Sequence, residues 1–287
     1  MANPKVSIVI PAYNNEQYLR ETLDSVLSQT YQDYEVVIAD HSSIDGTAEI
    51  IESYRDHPKL RILSPTPSGG GAKANWDRVS QEARGEYLKL VCGDDLIAAD
   101  ALERQMEIFE KHPEVVLVAA QRDMVDAAGQ TFMRGRGLQG IDGLLTGRAA
   151  TKATVRSGTN IFGEPACSLF RRELLANAGW WNNRFPYLID ESTLVAICLN
   201  GKVFALRESL ASFRVSASQW SVRLAKSQAD QAKAFHRSLR SQDPTLLSGY
   251  DVALGNAKAT VLALARRLVY FGLRRRMGRE HAVESTT

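Results

Sequence analysis

Up to Ala119, short apolar runs alternate with longer stretches whose apolar residues repeat at helical spacing. The runs are Val6-Ser-Ile-Val-Ile10, Tyr34-Glu-Val-Val-Ile-Ala39, Leu60-Arg-Ile-Leu63, Tyr87-Leu-Lys-Leu-Val91 and Val115-Val-Leu-Val-Ala119. Runs that are apolar on both faces suit strands buried between two layers, as in parallel sheets. Between them, Tyr18 to Leu27, Thr47 to Tyr54, Ala72 to Ala83 and Ala99 to Lys111 read as helices; Tyr18, Leu19, Leu23, Val26 and Leu27 form one stripe. This alternation predicts an α/β fold: a Rossmann-like, open, mostly parallel sheet with flanking helices on both faces. Right-handed crossovers then put the carboxyl ends of the strands on one edge, where such sheets bind ligands.

The residues at those ends are informative. The first strand ends in Pro11, the second in Asp40, and the fourth in Cys92-Gly-Asp-Asp95. Adjacent carboxylates repel unless a cation sits between them. A hard divalent ion with oxygen ligands is the usual partner, and Mg²⁺ often takes one or two carboxylates plus substrate phosphates. The competing reading is a solvated turn before a helix, with Asp95 or Asp100 as its N-cap.

Beyond Ala119 the signal weakens. Between Asp123 and Thr159, Gly129, Gly135, Gly137, Gly140, Gly143 and Gly147 break the pattern, which predicts a flexible connection covering the crevice. Ala166 to Phe170 reads as a strand and Arg171 to Asn177 as a short helix, followed by Trp180 and Trp181. Asp190 and Glu191 lead into a helix through Leu199, stopped by Asn200-Gly201. Lys202 to Leu206 and Leu210 to Arg214 read as two short strands. From about Val222 the chain reads as helix, broken near Asp243-Pro244 and Ser248-Gly249. The division expected is a domain over 1–215, with halves 1–122 and 123–215, and a helical C-terminal extension over 216–287.

A net charge of +2 gives no global field for a polyanionic partner, so no nucleic acid is expected. Three scattered cysteines make neither a disulfide framework nor a C-x-x-C pair, which suits a reducing cytosol. The polar start lacks the charged and apolar regions of a leader, and no run of 18 apolar residues occurs. A cytoplasmic protein without a membrane span is the expectation.

In order, these features resemble the inverting nucleotide-sugar glycosyltransferases of family 2, with the A-type fold. The resemblance rests on Val6-Ser-Ile-Val-Ile-Pro-Ala-Tyr-Asn14, the turn from Asp40 to Asp45-Gly46-Thr47, Asn75 before Gly85-Glu-Tyr87, and Asp94-Asp95. It covers roughly residues 4 to 215 and implies roles position by position. Pro11, Ala12, Tyr13, Asn14, Asp40 and His41 would hold the donor's nucleotide, with Lys73, Asn75 and Asp94 facing it. Asp94 and Asp95 match the acidic motif that grips the donor diphosphate through Mg²⁺ or Mn²⁺. The catalytic base would be Asp190 or Glu191. Glu164, Arg171, Trp180 and Trp181 would lie on the acceptor or phosphate side. The partners implied are a nucleoside-diphosphate sugar and a glycan or lipid-linked acceptor of the bacterial cell envelope. The sequence departs from the family at two places. Cys92 stands where the common pattern has a first Asp, and His41 replaces an acid in the turn.

Such a transfer needs two kinds of help. A divalent cation stabilises the departing diphosphate, and a carboxylate takes the proton of the acceptor hydroxyl. The transition state is oxocarbenium-like, and one displacement inverts the anomeric centre without a covalent nucleophile. Each residue also has a plainer reading: Asp40 as a turn former, Asp190 and Glu191 as helix N-terminal acids, Trp180 and Trp181 as packing, and Cys92 as a small buried apolar residue. Gly69-Gly-Gly71-Ala-Lys-Ala74 fits G-x-G-x-x-A, so a Rossmann-type dinucleotide-binding enzyme is the alternative, with a catalytically silent sugar-nucleotide binder as the third. Pro65-Thr-Pro-Ser68 separates those glycines from the strand, which argues against the fingerprint and for a mobile loop near the donor.

Finally, Lys258, Arg266, Arg267, Arg274, Arg275, Arg276 and Arg279 interleave with apolar residues and no acid. A basic amphipathic helix of this kind lies peripherally on an anionic membrane, or packs on the domain or on a second copy in a homo-oligomer.

Overall fold

A computed structural model describes residues 3–215 and 227–265. The opening alternation is present: β1 Val6–Ala12, α1 Leu19–Leu27, β2 Tyr34–Asp40, α2 Thr47–Glu52, β3 Leu60–Ile62, α3 Gly71–Glu82 and β4 Tyr87–Leu90. Then follow β5 Leu96–Ile97, α4 Ala101–Lys111, β6 Val115–Val125, β7 Thr131–Arg136, β8 Gly143–Thr146 and α5 Gly147–Ser157. The last elements are β9 Ser168–Arg171, α6 Arg172–Asn177, α7 Ile189–Cys198, β10 Lys202–Arg214, α8 Gln228–Gln242 and a helix over 249–265.

The sheet runs β3-β2-β1-β4-β9-β6-β10-β5, with β7 on β6 and β8 on β10. β3, β2, β1 and β4 are parallel, as are β6 and β10, and these carry the longest ladders. β9 lies antiparallel between β4 and β6. Pro11 pairs with Ala39 and Ala12 with Asp40, while Val9 pairs with Leu90. The carboxyl ends of β1, β2 and β4 therefore share one rim.

The continuous apolar runs are explained by burial on both faces. Val9, Val37, Leu88 and Leu90 face one core with Val79 and Trp181, while Ile8, Ile10, Val36 and Ile38 face another with Leu19, Leu23 and Leu102. Burying such a side chain fully contributes roughly 1.5–3 kcal/mol. The C-terminal helices extend the first core: Phe235 stacks edge-on against Phe185 at 5.7 Å, and Leu239, Leu246 and Ala259 join the same cluster. Among the described residues no helix is long and apolar enough to cross a membrane.

The stretch expected to be a loose connection is instead ordered as the end of β6, β7, β8 and α5. All of β7 is exposed, so it lacks the alternation that marks a half-buried strand. The two strands expected after Lys202 are one, β10, whose ladder shifts register between Leu206 and Ala211. A bulge breaks side-chain alternation without ending the strand. Most of the basic tail, from Arg266 onward, lies outside the described residues.

Candidate active site

The rim formed by β1, β2 and β4 gathers the acids. Gly93 lets the chain leave β4 sharply. A Cβ there would sit 2.5 Å from Asn15 Oδ1, so the loop after β1 and the acidic turn fit only with glycine between them. Asp94 and Asp95 follow at once. The sulfur of Cys92 and a carboxylate oxygen from each aspartate lie within 4.8 Å of one another. Cys92 is partly buried and packs against the apolar core that holds Trp181. Asp95 is only 1% exposed. Among the described residues its carboxylate accepts one hydrogen bond, a long one of 3.4 Å from the Arg214 N–H. Burial, then Asp94 and Glu164, push its pKa well above the carboxylate range. A buried acid so poorly satisfied beside a second acid fits a cation site: the donor set is the kind a divalent ion neutralises.

Arg214, at the end of β10, clasps this turn from beneath. It is 1% exposed, donates Nε to the Asp94 carbonyl at 3.2 Å, pairs with Glu21 at 2.7 Å and lies 4.3 Å from the Tyr18 ring centre. Nothing local in the sequence marks it, because its partners lie on α1 and after β4.

The nucleotide side is built around Asp40. Its carboxylate accepts the Ser43 N–H at 3.1 Å and the Ser43 hydroxyl, closing an Asx-type turn. Asn14, at φ 49°, accepts the Ile44 N–H at 3.0 Å and donates its own N–H to Ser43 Oγ at 2.9 Å. Tyr13 is 54% exposed and stands edge-on to His41 with ring centres 5.8 Å apart. His41 in turn bonds the Gly69 carbonyl at 2.9 Å, tying the glycine loop to β2. Pro11 and Ala12 form the strand end beneath. Asn75 is 2% exposed and spends its amide on the carbonyls of Ala39 (2.8 Å) and Ala12 (3.3 Å). It therefore braces the two strand ends rather than facing a ligand. Lys73 is paired with Asp77 one helical turn on.

The third component is Asp190, in the first turn of α7. Its charge, with those of Asp94, Asp95 and Glu164, reaches the Cys92 thiol and, after burial, holds its pKa well up. These four acids thus lie near enough to Cys92 for their charges to act on it. Asp190 is partly exposed there, and burial raises its pKa to about 6 against hydrogen bonds that lower it. Asn160 Nδ2 donates to Asp190 Oδ2 at 2.9 Å. Glu164 is ion-paired with Arg122. Glu191, by contrast, is only 2% exposed.

Two expectations are corrected. Arg171 lies at the opposite rim, because the antiparallel β9 pairs it with Tyr87 at the start of β4. There it donates to the carbonyls of Val115 and Pro113 and to Glu86, so it faces no phosphate in the crevice. Trp181 is fully buried, donates Nε1 to Ser80 at 2.9 Å and stands edge-on to Trp76 at 4.9 Å. It packs the core and cannot stack on a sugar; Trp180 is partly buried against the same core.

Residues 7–179 match the model of the family described as "Glycosyl transferase family 2". A chondroitin synthase of Pasteurella multocida is 38% identical over 133 residues, 46% of this chain and 14% of that one. The chain spans under half the length of the curated relatives it matches. Among solved structures, Staphylococcus aureus TarS 1–349 in complex with UDP-GlcNAc superposes with a TM-score of 0.68 at 18% identity, covering 89% of this chain and 71% of that one. The mannosyltransferase PcManGT of Pyrobaculum calidifontis, in complex with GDP-Man and Mn²⁺, gives 0.64 at 19%, covering 96% and 81%. At these identities the likeness establishes the shared fold.

Proposed function

The chain belongs to glycosyl transferase family 2, and on that premise we propose that it is an inverting transferase moving a sugar from a nucleoside diphosphate to an acceptor hydroxyl. What supports this is that the charge of Asp190, nearly a hundred residues on in sequence, acts on the Cys92 thiol, whose sulfur lies within 4.8 Å of carboxylate oxygens of Asp94 and Asp95 just past the carboxyl end of β4. Donor complexes of proteins with the same fold, one of them with Mn²⁺, support a sugar-nucleotide donor and a divalent cation. The relative named chondroitin synthase supports a glycan or lipid-linked acceptor in polysaccharide or cell-envelope synthesis.

In this reading Tyr13, Asp40 and His41 face the nucleotide. Asp94 and Asp95 hold the cation, Mg²⁺ or Mn²⁺ by family resemblance. When bound, the ion supplies Lewis-acid stabilisation of the departing diphosphate. Asp190 takes the acceptor proton. It is partly exposed and its pKa is raised by burial to about 6, whereas Glu191 is only 2% exposed. Asn160 holds one oxygen of Asp190. Arg122 keeps the Glu164 charge compensated beside it.

A thermal-shift screen of nucleoside diphosphates and their sugars, with and without Mn²⁺, tests the reading. Ligands of the folded state raise the melting temperature. A metal-dependent rise with one nucleotide class is expected, and Asp95→Asn is expected to lose it. A chain that no nucleoside diphosphate stabilises, with or without metal, would overturn the proposal.

A further inference from the structure

We propose that the outer face of the helix over 249–265 docks on an anionic bilayer and holds the protein peripherally on a membrane surface. The docking stands apart from the transfer chemistry; only its link to a lipid-linked acceptor rests on the function proposed above.

One face of this helix is seated closely on the domain. An added Cβ on Gly255 would run into the Val155 carbonyl of α5, and one on Gly158, just past α5, would sit 2.5 Å from the Ala259 backbone nitrogen. Asn256 Oδ1 meets His236 Nδ1 of α8 at 3.0 Å. Asp251, 2% exposed, pairs with Lys152 and Arg156 of α5 and accepts the Ser248 hydroxyl at 2.7 Å. On the opposite face Tyr250, Ala253, Ala257, Val261 and Leu264 are exposed, and their spacing of three and four residues makes them one stripe. Its large members stand well out: Tyr250 is 67%, Val261 64% and Leu264 54% exposed.

Charge selects the occupant. Asp251 is the only acid of residues 249–265, and it is buried and already paired. Lys258 is exposed on this helix, and the side chains of Lys152 and Arg156 are 45% and 46% exposed along α5. Arg156 lies 6.0 Å from the Tyr250 ring centre. Past the described residues the sequence adds six arginines and no acid from Arg266 to Arg279. An apolar stripe with cations beside it and no exposed acid on its helix suits an anionic bilayer, whose acyl boundary takes the apolar side chains and whose headgroups take the charges. A second copy would bring the same cations against themselves across a two-fold axis, which like charges oppose. The face also adjoins the acceptor side: Gly158, against Ala259, stands two residues before Asn160, the partner of Asp190. A lipid-linked acceptor would reach Asp190 from that surface.

Co-sedimentation of the full chain with vesicles tests this. Binding to mixed phosphatidylcholine–phosphatidylglycerol vesicles is expected, at least about 10-fold tighter than to phosphatidylcholine alone and weakened by salt. The double variant Val261→Asp/Leu264→Asp is expected to keep the wild-type melting temperature, because both side chains are exposed, and to bind the anionic vesicles at least about 10-fold more weakly. The milder Val261→Ser/Leu264→Ser is expected to move binding in the same direction. Binding unchanged in both variants would overturn the docking face, and equal binding to the two kinds of vesicle would overturn the selection by charge. Wild-type protein that ignores anionic vesicles would overturn the proposal, and a dimer that Val261→Asp/Leu264→Asp dissolves in sedimentation velocity would then assign the stripe to a second copy. None of these outcomes bears on metal-dependent stabilisation by a nucleoside diphosphate, so the transfer reading stands or falls separately.

Discussion

Asn160 donates one amide hydrogen to Asp190 Oδ2 at 2.9 Å and also donates to the Gly163 carbonyl at 2.7 Å, while its own oxygen accepts the Phe162 N–H at 3.0 Å. One side chain thus shapes the loop before the 3-10 turn at Pro165–Cys167 and ties it to Asp190. The bond also stabilises the ionised form of Asp190, whose pKa stands near 6. We predict that Asn160→Ala pushes that pKa higher and moves the acid limb of the kcat/KM profile to higher pH. The loss should be larger at pH 6 than at pH 8. A limb that does not move would show that Asn160 acts only on the loop.

Asp190→Asn should keep donor-dependent thermal stabilisation and lose transfer by about 10²–10⁴-fold. Its melting temperature should be at or above that of the wild type near neutral pH. A carboxyl whose pKa is raised on folding costs stability once ionised, so the cost is fully present above about pH 6 and removed by the neutral side chain. Normal transfer by this variant would shift the role of base to another group.

Arg214→Met removes the clasp under Asp94 while keeping an apolar stem against Tyr18. Hydrogen bonds from a charged group contribute about 1.5–3 kcal/mol, discounted here because Glu21 is half-exposed. We expect a modest drop in melting temperature and a larger drop in metal-dependent donor affinity, read by calorimetry with Mn²⁺. Equal donor affinity in the two proteins would reduce Arg214 to a packing residue.

Lys89 offers a pH test of the fold. It is fully buried in β4, donates Nζ to the carbonyls of Ala166 (2.7 Å) and Ser168 (3.3 Å), and burial lowers its pKa from 10.5 to about 7. The unfolded chain therefore binds more protons than the folded one between about pH 7 and 10, so wild-type stability rises with pH across that window. Relative to Lys89→Met, the wild type should gain stability from pH 7 to pH 10 in urea melts. A flat difference would contradict the buried amine.

Trp181→Ala should cost about 3–5 kcal/mol as a buried aromatic. Trp181→Phe should lower the melting temperature while leaving KM for the donor unchanged. A donor-specific change in the Phe variant would return Trp181 to the ligand side.

Local pattern carried the first half of the molecule. Val6 to Ile10, Tyr34 to Ala39 and Tyr87 to Val91 are apolar on both faces because two cores cover them, so strand and parallel pairing are legible together. Adjacent parallel strands then bring Asp40 and Asp94 to one rim without further information. The misreadings arise where local pattern and topology part. β9 runs against its neighbours, and that reversal moves Arg171 to the far rim although its sequence neighbours are near the crevice. The exposed β7 has no inward face to betray it. Asn160 and Arg214 act through partners 30 and 120 residues away, distances at which no periodicity speaks.

The clasp of Arg214 on Asp94 also orders events during synthesis. The acidic turn leaves the ribosome 120 residues before the guanidinium that secures it, and contacts so distant along the chain form late. Nascent chains ending before residue 214 should therefore expose the turn to protease, and those extending past it should be protected. The crevice would thus be a product of the closing strand, finished only when the sheet is.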